Sequence, residues 1–368
     1  MQPSFSFSQQ TWQRLKKNKG AIGGLIIIAL AVFVSIFGYL IAPDTSPYAD
    51  LQTVEIQAKK PGYQQLFLKI PTKEDINTGW FSKMMFGKRE LFNYLPISGY
   101  SINKDSLLVH KYIDEDTTVV QYFSITQLTG NDPSRLAKKN LVTKTYWLGS
   151  DKFGRDILSR LIIGTRVSLA VGLIAVIISL TIGIALGALA GYYRGIIDDV
   201  IMWLVNVTWS IPTLLLVFAI TMTLGKGFWQ IFIAVGLTLW VSVARLIRGQ
   251  VMAIKELEYV QAAKALGLSD TRIIVRHILP NILGPVMVIA ASNFATAIII
   301  EAGLSFLGIG VQPPQPSWGL MIKENYNFII THNPMLALIP GFAIMLLVLA
   351  FNLLGNGLRD AVDVRTPL

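Results

Sequence analysis

The sequence predicts an all-α polytopic membrane protein with six membrane-spanning helices. Both termini are expected on the cytoplasmic side, and a folded extracytoplasmic insert between helices 1 and 2. Three observations carry this. Of 368 residues, 52% are hydrophobic and only 15% charged, with a mean hydropathy of +0.52; soluble domains carry about 25% charged residues. Six apolar runs reach or approach the length of about 20 residues that a spanning helix needs. Basic residues flank these runs in an order that gives one self-consistent topology.

Residues 1–20 read as a cytoplasmic tail carrying Arg14, Lys16, Lys17 and Lys19, and residues 21–42 as the first span. That layout also fits a secretory signal, but the run exceeds the usual h-region of about 7–15 residues. No small-x-small cleavage site follows it, so it reads as an uncleaved anchor. The second span covers about 161–192 and is rich in small residues, with Gly183/Gly187 and Gly187/Gly191 as overlapping GxxxG pairs. Such pairs let helix backbones approach closely in lipid. The third run, about 197–224, contains Asn206, Ser210 and Pro212. The fourth covers 228–246, the fifth about 282–304 and the sixth 336–354, before a tail at 361–368.

The basic N-terminal tail should be cytoplasmic, which puts 43–155 outside. Arg194 then falls inside, the turn at Lys226 outside, Arg245 to Arg276 inside, 311–334 outside, and Arg359 and Arg365 inside. The net charge of +10 is read as retention on these flanks rather than as nucleic-acid binding. The absence of cysteine excludes disulfides, thiolate metal sites and Cys nucleophiles.

Residues 43–147 are of different composition. Charges are frequent, and Lys60-Pro61-Gly62 and Gly130-Asn131-Asp132-Pro133 punctuate them as turns. Val119–Leu128 and the shorter Leu66–Ile70 have strand composition. About 100 residues is too long for a structureless loop, so a small α+β or mostly β domain is expected. It either docks a substrate-delivery protein or is a family-specific insertion.

The segment 248–280 is the most informative. Tyr259, Ala262, Ala263 and Leu266 recur at helical spacing on one small, partly apolar face. Gly267 is a natural terminator, Ser269 offers an N-cap to a second helix and Asp270 suits its first turn. That helix is expected to end near Leu279-Pro280-Asn281. The resulting helix–glycine–helix either rests on lipid headgroups or forms a knob for a protein cleft; its alanine-rich face is too shallow to bury much in lipid.

Here the residues resemble a family. Glu258-Tyr259-Val260-Gln261-Ala262-Ala263-Lys264-Ala265-Leu266-Gly267, with Leu279-Pro280 downstream, is similar to the EAA loop of binding-protein-dependent ABC importer permeases. Leu148-Gly149-Ser150-Asp151, Gly154 to Arg160 and Gly164 to Leu169 resemble the core entry of the oligopeptide/dipeptide/nickel subfamily. So do Glu301 to Gly308, Pro313-Pro314, Pro316 to Gly319, Asn352 to Gly355 and Gly357 to Asp360. The resemblance covers about residues 10–42 and 146–366 and is nearest to the C-type permease. Gln261 and His277 stand where the family has Glu and Ile.

The resemblance implies a type I-like importer: two permease subunits, here a heterodimer with a B-type chain, two ABC ATPases that bind ATP and Mg, and an external binding protein. Glu258, Tyr259, Gln261, Ala262, Ala263 and Gly267 would form a coupling helix seated on the ATPase. The chain itself is expected to be non-catalytic and to hold no cofactor. Leu224-Gly225-Lys226-Gly227 lacks the spacing and hydroxyl of a phosphate-binding loop. His110, His277 and His332 lack ligand spacing, so no metal site is expected. The cargo would be dipeptides, oligopeptides or a nickel chelate.

Polar residues inside apolar runs are candidates for the translocation pathway, and Asn206, Ser210, Ser292, Asn293, Thr296 and Glu301 qualify. Each can equally be interhelical glue, and Glu301 a paired or solvated acid near the membrane surface. An ion-coupled secondary transporter is the alternative, but it calls for midspan carboxylates and inverted repeats. A membrane-anchored receptor would leave six packed spans unexplained.

Overall fold

The computed structural model describes residues 7–72, 79–88, 92–103, 106–129, 140–225, 227–330 and 333–362. The predicted turns at Lys226 and at Gly130–Pro133, together with His332 and Arg365, lie outside them. In chain order the helices and strands are α1 Phe7–Lys17, α2 Lys19–Ile41, β1 Tyr63–Pro71, α3 Trp80–Phe86, β2 Phe92–Asn103, β3 Ser106–Tyr112, β4 Thr118–Ser124, α4 Ile125–Thr129 and β5 Leu141–Tyr146. There follow α5 Ile157–Tyr193, α6 Gly195–Ser210, α7 Thr213–Leu224, α8 Phe228–Lys255, α9 Glu258–Ala265, α10 Asp270–Ile273, α11 Leu283–Leu307, α12 Trp318–Asn325 and α13 Met335–Val362. Two compact units result: residues 1–32, 168–312 and 342–368, and residues 33–167 and 313–341.

Among the described residues, five helical stretches are long and apolar enough to cross a membrane: α2, α5, α8, the run Asp270–Leu307, and α13. A sixth crossing exists only if α6 and α7 are taken together, and they are bent by 96°. The continuous helix expected over 197–224 is therefore corrected to two helices with a sharp break between them. Pro212 has no amide hydrogen and forces its predecessor out of the α region. Ile211 accordingly sits at φ −92°, ψ 128°, and the helix restarts at Thr213.

The N-terminal tail is not featureless. It forms α1, and Asn18 both ends that helix and caps α2 by accepting from the amide of Ala21 at 3.1 Å. Asn18 also donates to Asp360 Oδ2 at 3.3 Å, and Leu15, Ala21 and Ala361 form one buried cluster. Gly24 lies against the Ala350 backbone, where an added Cβ would come within 2.5 Å of the carbonyl oxygen.

The small residues of α5 serve the packing expected of them. A Cβ on Gly183 would lie 2.5 Å from Val243, one on Gly187 2.5 Å from the Ala244 carbonyl, and one on Gly191 2.7 Å from the Arg248 carbonyl. One glycine ridge thus lies directly on α8, a contact at backbone range that no larger residue permits.

In the other unit, β1–β5 form one antiparallel sheet in the order β4-β3-β2-β1-β5. Leu68, Ile97, Leu107 and Val109 pack with Ile125 and Leu128 of α4. Phe67, Tyr112 and Tyr146 pack with Ile56 in a separate cluster. The strand expected over Val119–Leu128 ends at Ser124; its last four residues turn into α4, whose Ile125 and Leu128 plug the core. The candidate at Leu66–Ile70 is the middle of the longer β1. Strand β2 escapes a composition search because Pro96 and Gly99 interrupt it, and the register shifts there between Ile97 and Gly99.

The stretch 148–160 joins this sheet to α5. Gly149 and Gly154 take φ +84° and +72°, and a Cβ on either would collide with the carbonyl of Lys59 or Thr53. Asp156 caps α5, accepting from the amide of Ser159 at 2.8 Å. Arg155 is buried and binds Asp151 and Glu324 at 2.6 Å and Asp50 at 3.0 Å. Arg160 is buried against the same carboxylates at 3.5–3.8 Å.

Candidate functional site

The first candidate site is the hairpin after α8. Leu257 turns the chain and α9 follows for eight residues. Val260 and Ala263, three positions apart, are buried with Tyr192, Ile247, Val251, Ile273, Ile274 and Ile278. The face read from the sequence, Tyr259, Ala262, Ala263 and Leu266, is divided by this seam. Tyr259, Ala262 and Leu266 point away from the core, Leu266 at 80% exposure, and only Ala263 of that set is buried. Glu258, Gln261 and Gly267 are exposed as well. The helix is thus held by one narrow seam and presents the rest of its surface.

Its end is rigidly closed. The Leu268 amide donates to the Ala263 carbonyl at 3.2 Å and the Gly267 amide to the Lys264 carbonyl at 3.0 Å. Gly267 has φ +76°. These are the two bonds and the left-handed glycine of a Schellman motif, and Leu268 packs against the cluster containing Ala263. Ser269 occupies the N-cap position of α10, but its side chain makes no capping bond. The second helix does not stop at Leu279-Pro280-Asn281. A π turn, Ile274–Ile278, and a 3₁₀ turn, Leu279–Ile282, carry it into α11. Pro280 falls in the first turn of the 3₁₀ segment, where no amide is needed.

Polar contacts bolt the hairpin to the end of α5. Tyr192 Oη donates to Asp270 Oδ1 at 2.6 Å, and Lys255 Nζ donates to the Tyr192 carbonyl at 2.6 Å. Arg194 and Glu256 pair at 2.6 Å on the exposed side. Gln261 Nε2 donates to the Lys255 carbonyl at 2.8 Å, and Asn281 Nδ2 to Tyr259 Oη at 3.1 Å. Nearby, Arg248 grips both oxygens of Asp198. Tyr192, Asp270, Lys255, Arg248 and Asp198 were invisible as a group in the sequence, since the partners lie 50 or more residues apart.

The second candidate is a cavity of about 240 Å³ beside the bend between α6 and α7. Thr208, Trp209, Ile211 and Thr213 line it from the bend, Thr238 and Ser242 from α8, and Ser292, Asn293 and Thr296 from α11. Asn293, one of these lining residues, is buried. It accepts from Ser242 Oγ and donates to Ser179 Oγ and the Leu239 carbonyl, each at 3.4 Å. One amide therefore ties α5, α8 and α11 together. The other three pathway candidates lie elsewhere. Asn206 is exposed and accepts from Arg245 at 2.8 Å, while the Arg245 guanidinium lies 3.8 Å from the Trp209 ring centroid. Ser210 donates to the Val207 carbonyl at the end of α6. Glu301 is neither solvated nor in the cavity. It is fully buried and accepts from Ser305 Oγ at 2.7 Å, and Ser305 Oγ in turn accepts from the Val311 amide. Its position closes the C-terminal turn of α11. Among the described residues no group of three His, Cys, Asp or Glu side chains could hold a metal ion.

Comparison with known proteins gives these features a family. The family model for the binding-protein-dependent transport system inner membrane component matches residues 183–366, which include the bend, the cavity and the hairpin. The model for the N-terminal TM domain of oligopeptide transport permease C matches residues 6–61. The chain is 43% identical over 221 residues to the glutathione transport system permease protein GsiD of Pectobacterium atrosepticum, covering 60% of this chain and 73% of that one. It is 44% identical over 218 residues to the dipeptide transport system permease protein DppC of Alkalihalophilus pseudofirmus, covering 59% and 71%. It is 38% identical over 221 residues to the oligopeptide transport system permease protein OppC of Bacillus subtilis, covering 60% and 72%. With the family model spanning half its length and relatives matched over most of theirs, this chain belongs to the binding-protein-dependent transport system inner membrane components, as an inner-membrane permease subunit.

Proposed function

We propose that this chain is the C-type permease subunit of an ATP-driven importer for peptides or related small solutes such as dipeptides, oligopeptides or glutathione. In this reading an external binding protein delivers the solute, a second, B-type permease completes the pathway, and two ABC ATPases supply the energy. The termini and the hairpin face the cytoplasm, the insert 43–147 faces outward, and α6 with α7 counts as one of six spans. Relatives named for glutathione, dipeptide and oligopeptide transport support the solute class. That naming also favours this reading over an ion-coupled carrier.

One observation carries the mechanism: α9 buries only Val260 and Ala263 and leaves Glu258, Tyr259, Gln261, Ala262 and Leu266 exposed. A short helix with a shallow surface, closed by a rigid glycine turn and bolted at its base, suits a cleft in a partner. Motion of that partner would pass through Asp270 to Tyr192 and so to α5, and through the π turn to α11. Of these, α11 lines the cavity, and α5 meets it through the bond from Asn293 to Ser179. A broken helix beside a polar cavity is a recurrent way to expose backbone to a solute in a membrane. Gln261 leaves the contact resting on shape and hydrogen bonding more than on charge. ATP hydrolysis belongs to the partners, and the chain's part is to couple and conduct.

The test is affinity purification of the tagged chain in mild detergent. The wild type should carry ATPase subunits with it, and Leu266→Asp should lose them while remaining inserted and monodisperse. A wild-type chain that brings down no ATPase would overturn the reading.

A further inference from the structure

The short helix α3 in the insert has a surface that neither the sheet nor the proposed transport cycle uses. Trp80, Phe81 and Phe86 are 66%, 64% and 69% exposed, and Met85 is 37% exposed; Met84 alone is buried. Phe81, Met85, Ser82 and Phe86 follow one another round the exposed arc. Lys83 and Lys88 flank it. A contiguous apolar patch of this kind marks an interaction surface.

Where α3 is fastened identifies the occupant. Gly87, just past its end, has φ +79°, and a Cβ there would lie 2.8 Å from the Thr45 carbonyl and 2.9 Å from the Tyr39 ring. The Lys88 amide donates to that same Thr45 carbonyl at 2.8 Å. Arg166 of α5 donates to the Met85 carbonyl at 2.7 Å, and its guanidinium stands 5.1 Å from the Tyr39 ring centroid. Tyr39 lies two residues before the end of α2, so α3 is clamped at the level where that apolar helix ends. On α2 itself, Ile36, Leu40 and Ile41 are 44%, 41% and 48% exposed. The exposed apolar side chains of α3 therefore stand beside the end of a helix long and apolar enough to cross a membrane, whose own apolar side chains are exposed there. Aromatic and apolar side chains beside lysines and an arginine, at the end of a span, match the interfacial zone of a bilayer.

We propose that α3 is a lipid-binding anchor of the insert, with Trp80, Phe81, Met85 and Phe86 entering the boundary between headgroups and acyl chains beside the end of α2. The inference requires only that α2 spans the membrane; it does not depend on the solute or on the ATPase contact.

The absence of cysteine from the chain makes the test direct. A spin label is placed at Phe86→Cys, with Phe81→Cys as a second position should the first fail to fold. Tyr122→Cys on β4 is the aqueous reference, at a residue 70% exposed, and Ile36→Cys on α2 is the lipid reference. The full chain, with any subunits that accompany it, is reconstituted in nanodiscs of phosphatidylethanolamine and phosphatidylglycerol. Collision with oxygen and with a water-soluble nickel chelate is then measured. The expected oxygen-to-nickel ratio at α3 is several-fold above that at Tyr122→Cys and below that at Ile36→Cys. A ratio equal to the aqueous reference overturns the proposal. Protection from both reagents also overturns it, because that marks a protein partner instead. Loss of the ATPase in purification would leave this result unaffected, so the two readings fail separately.

Discussion

Tyr192, the next-to-last residue of α5, donates its hydroxyl to Asp270 Oδ1 at 2.6 Å, which fixes the end of one long helix to the first turn after the hairpin's glycine. The same residue's carbonyl accepts from Lys255 at 2.6 Å, so the base of the hairpin closes on α5 from both sides. A hydrogen bond to a charged group contributes about 1.5–3 kcal/mol, less where water competes. Tyr192→Phe keeps the ring in the core and removes only the hydroxyl. We expect a loss of about 1 kcal/mol in docking of the hairpin. Amide exchange over residues 258–273 should rise, and uptake by the reconstituted transporter should fall while insertion is unchanged. Unaltered exchange would show that the bond does not hold the hairpin.

Gly267 tests the shape of the knob independently of its contacts. Nothing lies within 4 Å of a Cβ at this position, so a substitution meets no clash. The cost comes from φ +76° alone, about 1–2 kcal/mol for a residue with a Cβ. Asparagine tolerates this conformation better than alanine, and valine worse. Uptake in vesicles should therefore fall in the order Asn, Ala, Val, with ATPase association following it. Gly267→Val should stay inserted but uncouple hydrolysis from transport. Uptake equal to wild type in Gly267→Val would remove the hairpin from the coupling route.

The spans were legible because hydropathy is a long-range average and tolerates local error. The same averaging merges α6 and α7. Pro212 marks the break, but the apolar character runs straight across it. Pro280 misleads in the opposite sense: read alone it ends a helix, whereas the π turn at Ile274–Ile278 lets the chain continue into α11. The turn at Gly267 was legible because left-handed backbone is a property of one residue. The buried seam of α9 was not, because alanine and valine at helical spacing fit two neighbouring faces and only the packing against Ile247 and Val251 decides between them. Asn293 and the cavity were half legible. A polar residue in a span is conspicuous, but that it meets Ser179 and Ser242 depends on how three helices cross. Asn206, Ser210 and Glu301 look alike in sequence, but Ser210 and Glu301 have local partners and Asn206 meets Arg245 of α8.

The glycine ridge of α5 gives a packing prediction. Gly187 faces the Ala244 carbonyl, where even a methyl group would come within 2.5 Å. Gly249 on α8 has open space around it. Overpacking of this kind costs about 1–3 kcal/mol, whereas alanine in an open helical position is neutral to favourable. Gly187→Ala should lower the thermal unfolding midpoint in detergent, and Gly187→Leu should lower it further. Gly249→Ala should leave it unchanged or raise it. Equal midpoints for Gly187→Ala and Gly249→Ala would mean that α5 and α8 are not in backbone contact.

Asp156 gives a pH prediction. Burial, and more weakly the charge of Asp44, push its carboxyl above the usual carboxylate range, against the hydrogen bonds from Ser159. A group whose folded pKa is raised contributes most stability when protonated, and that contribution is lost as pH rises through the folded value. Asp156→Asn keeps an acceptor for the Ser159 amide and never ionises. Relative to wild type, its unfolding midpoint should therefore be similar at about pH 4 and progressively higher towards about pH 8, levelling off once the native carboxyl is ionised. Asp156→Ala loses the helix cap, at about 1 kcal/mol, and should be less stable than Asp156→Asn throughout. Scanning fluorimetry of the three proteins in one detergent over that range decides it. A gap between Asn and Asp that stays constant with pH would show that the residue acts as a cap alone, with its charge already accommodated.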